Sequence, residues 1–296
     1  MASWLQNNLN TKFAPKHSLI EVLRQNMGGY RKPRDHSVVH ASDLTKPDFC
    51  PRRLALMDIF STVKKDEYIS TALQATFDLG DAVSDLVREK WVGEASHGFW
   101  KCRRCSNQSA FGIKPDTPCK QGGRCNYKYE EASFFSEDFG VSGSIDLLAN
   151  LGAPKLFVTE IKTITPIDFE GLAAPLAEHR IRTNLYMRLI EDDKGIFKQR
   201  INLNQAKVLY VSRAYGKKHE IYNEILPFKE FTVDRNDASL EPLIEKAREV
   251  KLFKEKGTLP KGICVTTLDK VAKLCQHCDA CFSGHYPAGK VAEKAI

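Results

Sequence analysis

Two short runs separated by a turn hold the residues best suited to phosphodiester chemistry. Asp146 lies in Ser-Gly-Ser-Ile-Asp-Leu-Leu, and Glu160 and Lys162 lie in Val-Thr-Glu-Ile-Lys-Thr, with Asn-Leu-Gly-Ala-Pro-Lys between the runs. Two carboxylates and a lysine gathered at the ends of adjacent strands are the minimum equipment for metal-assisted hydrolysis of a phosphodiester. Carboxylates that close repel unless a divalent cation lies between them, and oxygen-only ligation of this kind suits Mg²⁺ or Mn²⁺ rather than zinc. Lys162 would then orient or deprotonate an attacking water, or offset charge gathering on the phosphate. Taken alone, the Asp and Glu-x-Lys pattern also describes an ordinary solvated strand.

The elements that must position these groups can be read from periodicity. Side chains alternate across a strand, so Val158, Glu160 and Lys162 share one face while Phe157, Thr159 and Ile161 share the other. Pairing of residues 141–149 with 155–162 as a hairpin through Gly152 and Pro154 is expected to bring Asp146 near Glu160. A helix is expected over about 175–191, then a central apolar strand, Ala206-Lys-Val-Leu-Tyr-Val-Ser. Residues 238–256, with Leu240, Leu243, Ile244, Ala247, Val250 and Leu252, predict an exposed amphipathic helix. Upstream, Leu79, Ala82, Val83, Leu86 and Val87 recur at helical spacing. Strands and helices mixed in this order indicate an α/β fold with a small central sheet flanked by helices.

The nine cysteines form a second layer of chemistry. The chain opens on Met-Ala-Ser-Trp-Leu-Gln-Asn-Asn, quickly polar, and no run is long enough to span a bilayer, so a reducing, cytoplasmic compartment is expected. There, Cys-x-x-Cys clusters are metal ligands more often than disulfides. Cys102 and Cys105, followed by Cys119 and Cys125 with Gly122 and Gly123 in the second turn, read as a variant zinc ribbon holding one Zn²⁺. Cys50, Cys275, Cys278 and Cys281 can be four thiolates around a [4Fe-4S] cluster or around zinc, with His277 available to a Cys₃His site. Cys264, between Ile263 and Val265, reads as a small buried hydrophobe.

With Asp146, Glu160 and Lys162 beside this cysteine frame, the chain resembles the PD-(D/E)XK nuclease superfamily over roughly residues 36–285, with one insertion. Within it the chain is most similar to the RecB-like exonucleases that include the CRISPR-associated iron-sulfur nucleases and their phage relatives, in which one cysteine precedes the nuclease core and three follow it. The resemblance implies a restriction-endonuclease-like core, a divalent ion held by Asp146, Glu160 and the Ile161 carbonyl, and an iron-sulfur staple at Cys50, Cys275, Cys278 and Cys281. Two positions depart from the pattern. The upstream helix reads Gly80-Asp81-Ala82-Val83-Ser84 where the family has Gly-x-x-x-His, and the helix after the active strand carries Arg182 and Tyr186 where the family has Gln-x-x-x-Tyr. Ser84 is a poor metal ligand, so Asp81, Asp85, Glu89 or water would have to assist, whereas Arg182 can still bind phosphate. A catalytically weak nucleic-acid-binding adaptor on the same scaffold is the alternative that Ser84 supports.

Length and charge agree with these readings. The chain has 296 residues, 42% of them hydrophobic, and a formal net charge of +7, compatible with a full core and a nucleic acid partner. Between residues 101 and 128, Lys101, Arg103, Arg104, Lys114, Lys120, Arg124 and Lys128 face only Asp116, so this insert, Arg103 and Arg104 included, is expected to touch phosphate. Arg31, Lys32 and Arg34, with Arg52 and Arg53, are expected to line a strand-entry groove. The expected organisation is an N-terminal extension (1–35), a helical part of the nuclease domain (36–97), the zinc insert (98–130), the nuclease core (131–235) and a C-terminal helix with the cysteine cluster (236–296). The expected substrate is DNA with single-stranded ends, in phage or prokaryotic recombination, repair or defence.

Overall fold

The computed structural model describes residues 19–27, 29–30, 38–60, 68–195, 197–213 and 226–287; the basic cluster Arg31, Lys32 and Arg34 lies outside them. The described residues begin with α1 (Leu19–Met27), β1 (Gly29–Tyr30), β2 (Val39–His40), α2 (Ala41–Leu44), α3 (Pro51–Ile59), β3 (Tyr68–Ile69) and α4 (Thr71–Leu86). A π-helical turn (Val87–Trp91) leads to β4 (Ser96–His97), β5 (Phe99–Cys102), β6 (Tyr127–Glu130), β7 (Ala132–Ser136), β8 (Val141–Ile145) and β9 (Leu147–Ala149). Then come β10 (Phe157–Ile164), α5 (Pro166–Gly171), α6 (Ala177–Asp192), α7 (Phe197–Arg200), β11 (Gln205–Ser212) and β12 (Phe228–Asp234). The described residues close with α8 (Glu241–Lys256), α9 (Lys270–Lys273) and α10 (Cys278–Ser283).

Two compact units divide the chain, residues 1–34 with 63–81 and residues 35–62 with 82–296. The first contains α1, the antiparallel β1–β3 ribbon and the start of α4. The second contains a five-stranded sheet in the order β12-β11-β10-β9-β4 and a three-stranded sheet in the order β2-β8-β7. In the larger sheet β10 and β11 run parallel and the other pairs antiparallel. A parallel pair needs a crossover, which the helical stretch α5 to α7 supplies. The result is a mixed α/β architecture with sheets flanked by helices.

The hairpin expected over 141–162 forms only in part. Leu147–Ala149 pairs with Phe157–Thr159, whereas Val141–Ile145 leaves this sheet to pair with β7 and β2. Helix α6 explains the split, because its Leu185, Leu189 and Ile190 share one core with Val158 of the larger sheet and Val141 and Ile145 of the smaller. One run of sequence thus serves two sheets, and Asp146 stands at the joint. Gly143 permits the close packing: a Cβ there would lie 2.9 Å from both Leu189 Cδ1 and Tyr186 Cε1.

The opposite face of the larger sheet is covered by the cysteine insert. Trp100, Cys102, Cys119, Tyr127 and Tyr129 pack with Leu147, Ala149, Ile161 and Val211. Strand β10 is therefore buried on both faces, and the sequence alternation there reports which layer a residue meets. Helix α8 is amphipathic as expected, but not simply exposed: Ile244, Ala247, Val250 and Phe253 are buried, and Gly257, at φ +69°, ends it. Among the described residues no helix is long and apolar enough to cross a membrane.

Candidate active site and metal centres

The kink between β8 and β9 turns Asp146 toward β10, where it replaces a missing sheet bond. Beyond Thr159, β9 has ended, and the Ile161 N–H donates instead to Asp146 Oδ2 at 2.8 Å. Lys162 Nζ lies 3.3 Å from the same Oδ2, 2.6 Å from Glu160 Oε1 and 3.0 Å from the Ile161 carbonyl oxygen. The three oxygens expected to hold a divalent ion therefore converge on one cationic atom of the protein. Glu160 has no exposed surface, and its Oε2 is buried with no hydrogen-bond partner. An orphaned carboxylate oxygen beside three convergent oxygen ligands fits a hard divalent cation. Burial and then the charge of Asp146 raise the Glu160 carboxyl above the usual range. Burial opposes the charge on Lys162, but Asp146 and Glu160 outweigh it and raise its pKa.

Arg182 and Tyr186 do not face outward. Arg182 Nη1 pairs with Glu160 Oε1 at 2.8 Å and its Nε reaches Thr45 Oγ1 at 3.4 Å. Tyr186 is 5% exposed and closes over Gly143, a position that supports a packing role. One turn before Arg182, buried His179 bonds through Nδ1 to Tyr210 Oη at 2.8 Å. Tyr210 Oη also accepts from the Leu176 N–H at 2.9 Å, which leaves its own proton for His179. Burial, then the charges of Lys162 and Arg182, push the His179 pKa down to about 3.

A second charge network, not foreseen from sequence, holds the carbonyl of the joint. Arg88, on the π-helical turn and 6% exposed, donates through Nη1 to Glu131 at 2.6 Å and to the Asp146 carbonyl at 3.4 Å, and through Nη2 to Asp85 at 2.7 Å. Burial and the charge of Asp146 raise the Glu131 carboxyl. Asp85 is thus engaged by Arg88, while Glu89 accepts from the Tyr129 N–H and both of its oxygens from Arg103. The Asp85 to Arg88 spacing was the available signal, but a helical i,i+3 pair is common on any surface.

Among the described residues, Cys102, Cys105, Cys119 and Cys125 form a group whose sulfurs all lie within 4.8 Å of one another. The Cys102–Cys119 and Cys105–Cys125 separations are 4.0 and 3.9 Å. Tetrahedral zinc with bonds near 2.3 Å places thiolates about 3.8 Å apart, so this set can hold a metal ion. Gly122 and Gly123, at φ +89° and +66°, fold the longer second knuckle back, and the Cys119 N–H donates to the Gly123 carbonyl. Backbone N–H groups of Cys105 and then Arg104 favour the thiolate of Cys102, against burial, and lower its pKa to about 6. Several basic residues of the insert are already engaged, within it or with the helical segment before it. Arg103 forks onto Glu89, Arg104 donates to the Gln121 carbonyl at 2.9 Å, Lys128 pairs with Asp85 and Arg124 with Asp116.

The second cysteine set surrounds a cavity instead of a point. Cys50, at the start of α3, lines one narrow cavity together with Cys275, Cys278 and Cys281. Thiolates lining one cavity suit a metal ion or an iron-sulfur cluster. His277 is turned elsewhere, stacked on Phe60 at 5.5 Å and bonded to Gln276, and is not in this wall. Cys264 is in the wall, not merely a packed hydrophobe. Burial, then the charges of Cys50, Asp269, Cys275 and Cys281, raise its pKa.

No family model matches the chain, and no curated protein matches it in sequence. Among solved structures it is similar to the protein SSO0001, with a TM-score of 0.35, 12% identity and 79% of this chain and 84% of that chain covered. It is also similar to the alkaline exonuclease LHK-Exo from Laribacter hongkongensis, with a TM-score of 0.37, 11% identity and 80% of this chain and 97% of that chain covered.

Proposed function

We propose that the protein is a metal-dependent DNA nuclease acting at single-stranded ends, with Asp146, Glu160 and the Ile161 carbonyl as ligands of Mg²⁺ or Mn²⁺. The observation that carries this reading is the convergence of those three oxygens on Lys162 Nζ, at 3.3, 2.6 and 3.0 Å. A bound ion of this kind lowers the pKa of water and neutralises the scissile phosphate. Lys162 supplies a donor and a positive charge among those oxygens, suited to orienting the attacking water and to offsetting charge on a non-bridging phosphate oxygen. Arg182 balances the buried Glu160, and Arg88 fixes the backbone at Asp146. Arg103 and Arg104 remain exposed, and weak surface pairs of this kind can be exchanged for phosphate contacts.

The cysteine insert would carry Zn²⁺, and the cavity of Cys50, Cys275, Cys278 and Cys281 a [4Fe-4S] cluster that staples α3 to the C-terminal segment. The competing reading, a binding protein of little activity, draws on Ser84 and on Lys162 and Arg182 already compensating Glu160. The two are separated by incubating purified protein with labelled single-stranded DNA and Mn²⁺. Asp146→Ala, Glu160→Ala and Lys162→Ala are each expected to lose about 100-fold or more of the cleavage rate. Equal digestion by wild type and variants would reject the nuclease, and tight salt-sensitive binding without cleavage would select the adaptor.

A further inference from the structure

The C-terminal cavity contains one thiol more than a four-ligand metal centre uses. Cys264 lines it together with Cys50, Cys275, Cys278 and Cys281. Its segment is pinned on both sides. Upstream, Arg52 Nε donates to the Pro260 carbonyl at 2.7 Å while its Nη1 lies 3.9 Å from Cys281 Sγ. A residue two positions from Cys50 thereby ties the approach to Cys264 to a sulfur of the centre. A Cβ on Gly262 would itself lie 3.9 Å from Cys281 Sγ. Downstream, the Asp269 carboxylate accepts from the N–H groups of Val265 and Thr266, at 2.7 and 3.2 Å, and closes the turn that follows the thiol.

We infer that Cys264 is an exchangeable ligand of this metal centre, so that Cys264, Cys275, Cys278 and Cys281 make a complete four-thiolate set on the C-terminal segment alone. The inference rests on the proposed metal occupancy of this cavity. Cys50 is then the thiol that couples the metal to α3, and it can be released without loss of the metal. The exchange needs no oxidant: the departing thiolate takes up a proton, the entering thiol gives one up, and the metal keeps four sulfur ligands.

The test uses the full chain purified without oxygen, with iron, acid-labile sulfide and zinc measured per chain. Cys50→Ala and Cys264→Ala are each expected to keep the wild-type metal content, and the double variant to lose it. A Cys50→Ala protein as empty as the double variant, beside a fully loaded Cys264→Ala, overturns the inference. Because Cys50→Ala could misfold, the loaded wild type is also alkylated under native conditions and the labelled cysteines are identified by mass spectrometry. Partial labelling of both Cys50 and Cys264, with Cys275, Cys278 and Cys281 protected, supports exchange; complete labelling of Cys264 with Cys50 protected overturns it. Wild-type protein with neither iron nor zinc at this cavity would fail earlier, at the occupancy reading itself.

Discussion

Single side chains in this site are balanced against one another in a buried setting, so removing one exposes the cost of its partners. Arg88 serves Glu131, Asp85 and the Asp146 carbonyl at once. Its partners are partly solvated, which discounts the cost of losing it, and Arg88→Met is expected to destabilise the protein by about 2 kcal/mol in urea unfolding. His179 makes a prediction in pH. Burial holds its pKa in the folded protein at about 3, against the opposing pull of Glu178 Oε1 at 3.3 Å from Nε2, whereas the unfolded chain takes up its proton near 6.5. Between those values the unfolded state binds more protons, so this residue makes stability fall as pH drops, by up to about 1.4 kcal/mol per pH unit. The melting temperature of His179→Gln should therefore decline less steeply than that of wild type between pH 7 and 4. Parallel declines would assign the acid sensitivity to other groups.

At the scale of elements, the site depends on how closely helix α6 approaches the joint between the sheets. Gly143→Ala places a methyl group 2.9 Å from both Tyr186 and Leu189, with Arg182 on the same helix. The helix must shift or the side chains must leave their rotamers, at a cost of about 1–3 kcal/mol. A lowered midpoint in chemical denaturation would show it, and an unchanged midpoint would mean that α6 yields freely. Strand β10 was legible from its alternation and its parallel partner β11 as an apolar run, and α6 and α8 as helices within a few residues. The break at Asp146 was not, because nothing in Val141–Ala149 announces that its two halves pair with different sheets.

For the molecule as a whole, the cysteine insert acts as a second wall of the sheet that bears Glu160. Its Trp100, Tyr127 and Tyr129 pack against Ile161 and Leu147, so order in the insert and order in the site are coupled. Removing the proposed metal from the four-thiol group, by a strong chelator or by Cys102→Ser, is expected to lower the melting temperature and the near-ultraviolet circular dichroism of the protein together. Zinc analysis of the same samples checks the cause. Loss of zinc with an unchanged melting curve would make the insert an independent appendage.

The sequence by itself determined the chemistry available. Alternation placed Glu160 and Lys162 on one face, the Asp and Glu-x-Lys pair singled out the candidate site, and Cys-x-x-Cys spacing singled out the insert, because each of these is a pattern written within a short stretch of sequence. Tertiary structure decided the rest: that Asp146 caps the Ile161 N–H, that Arg182 turns inward to Glu160, that Arg88 and Glu131 enter the network, and that Cys264 joins four other thiols. Those contacts link residues up to hundreds of positions apart, and only the packing of two sheets around one helix, with the two cysteine-bearing segments folded back, brings them within reach.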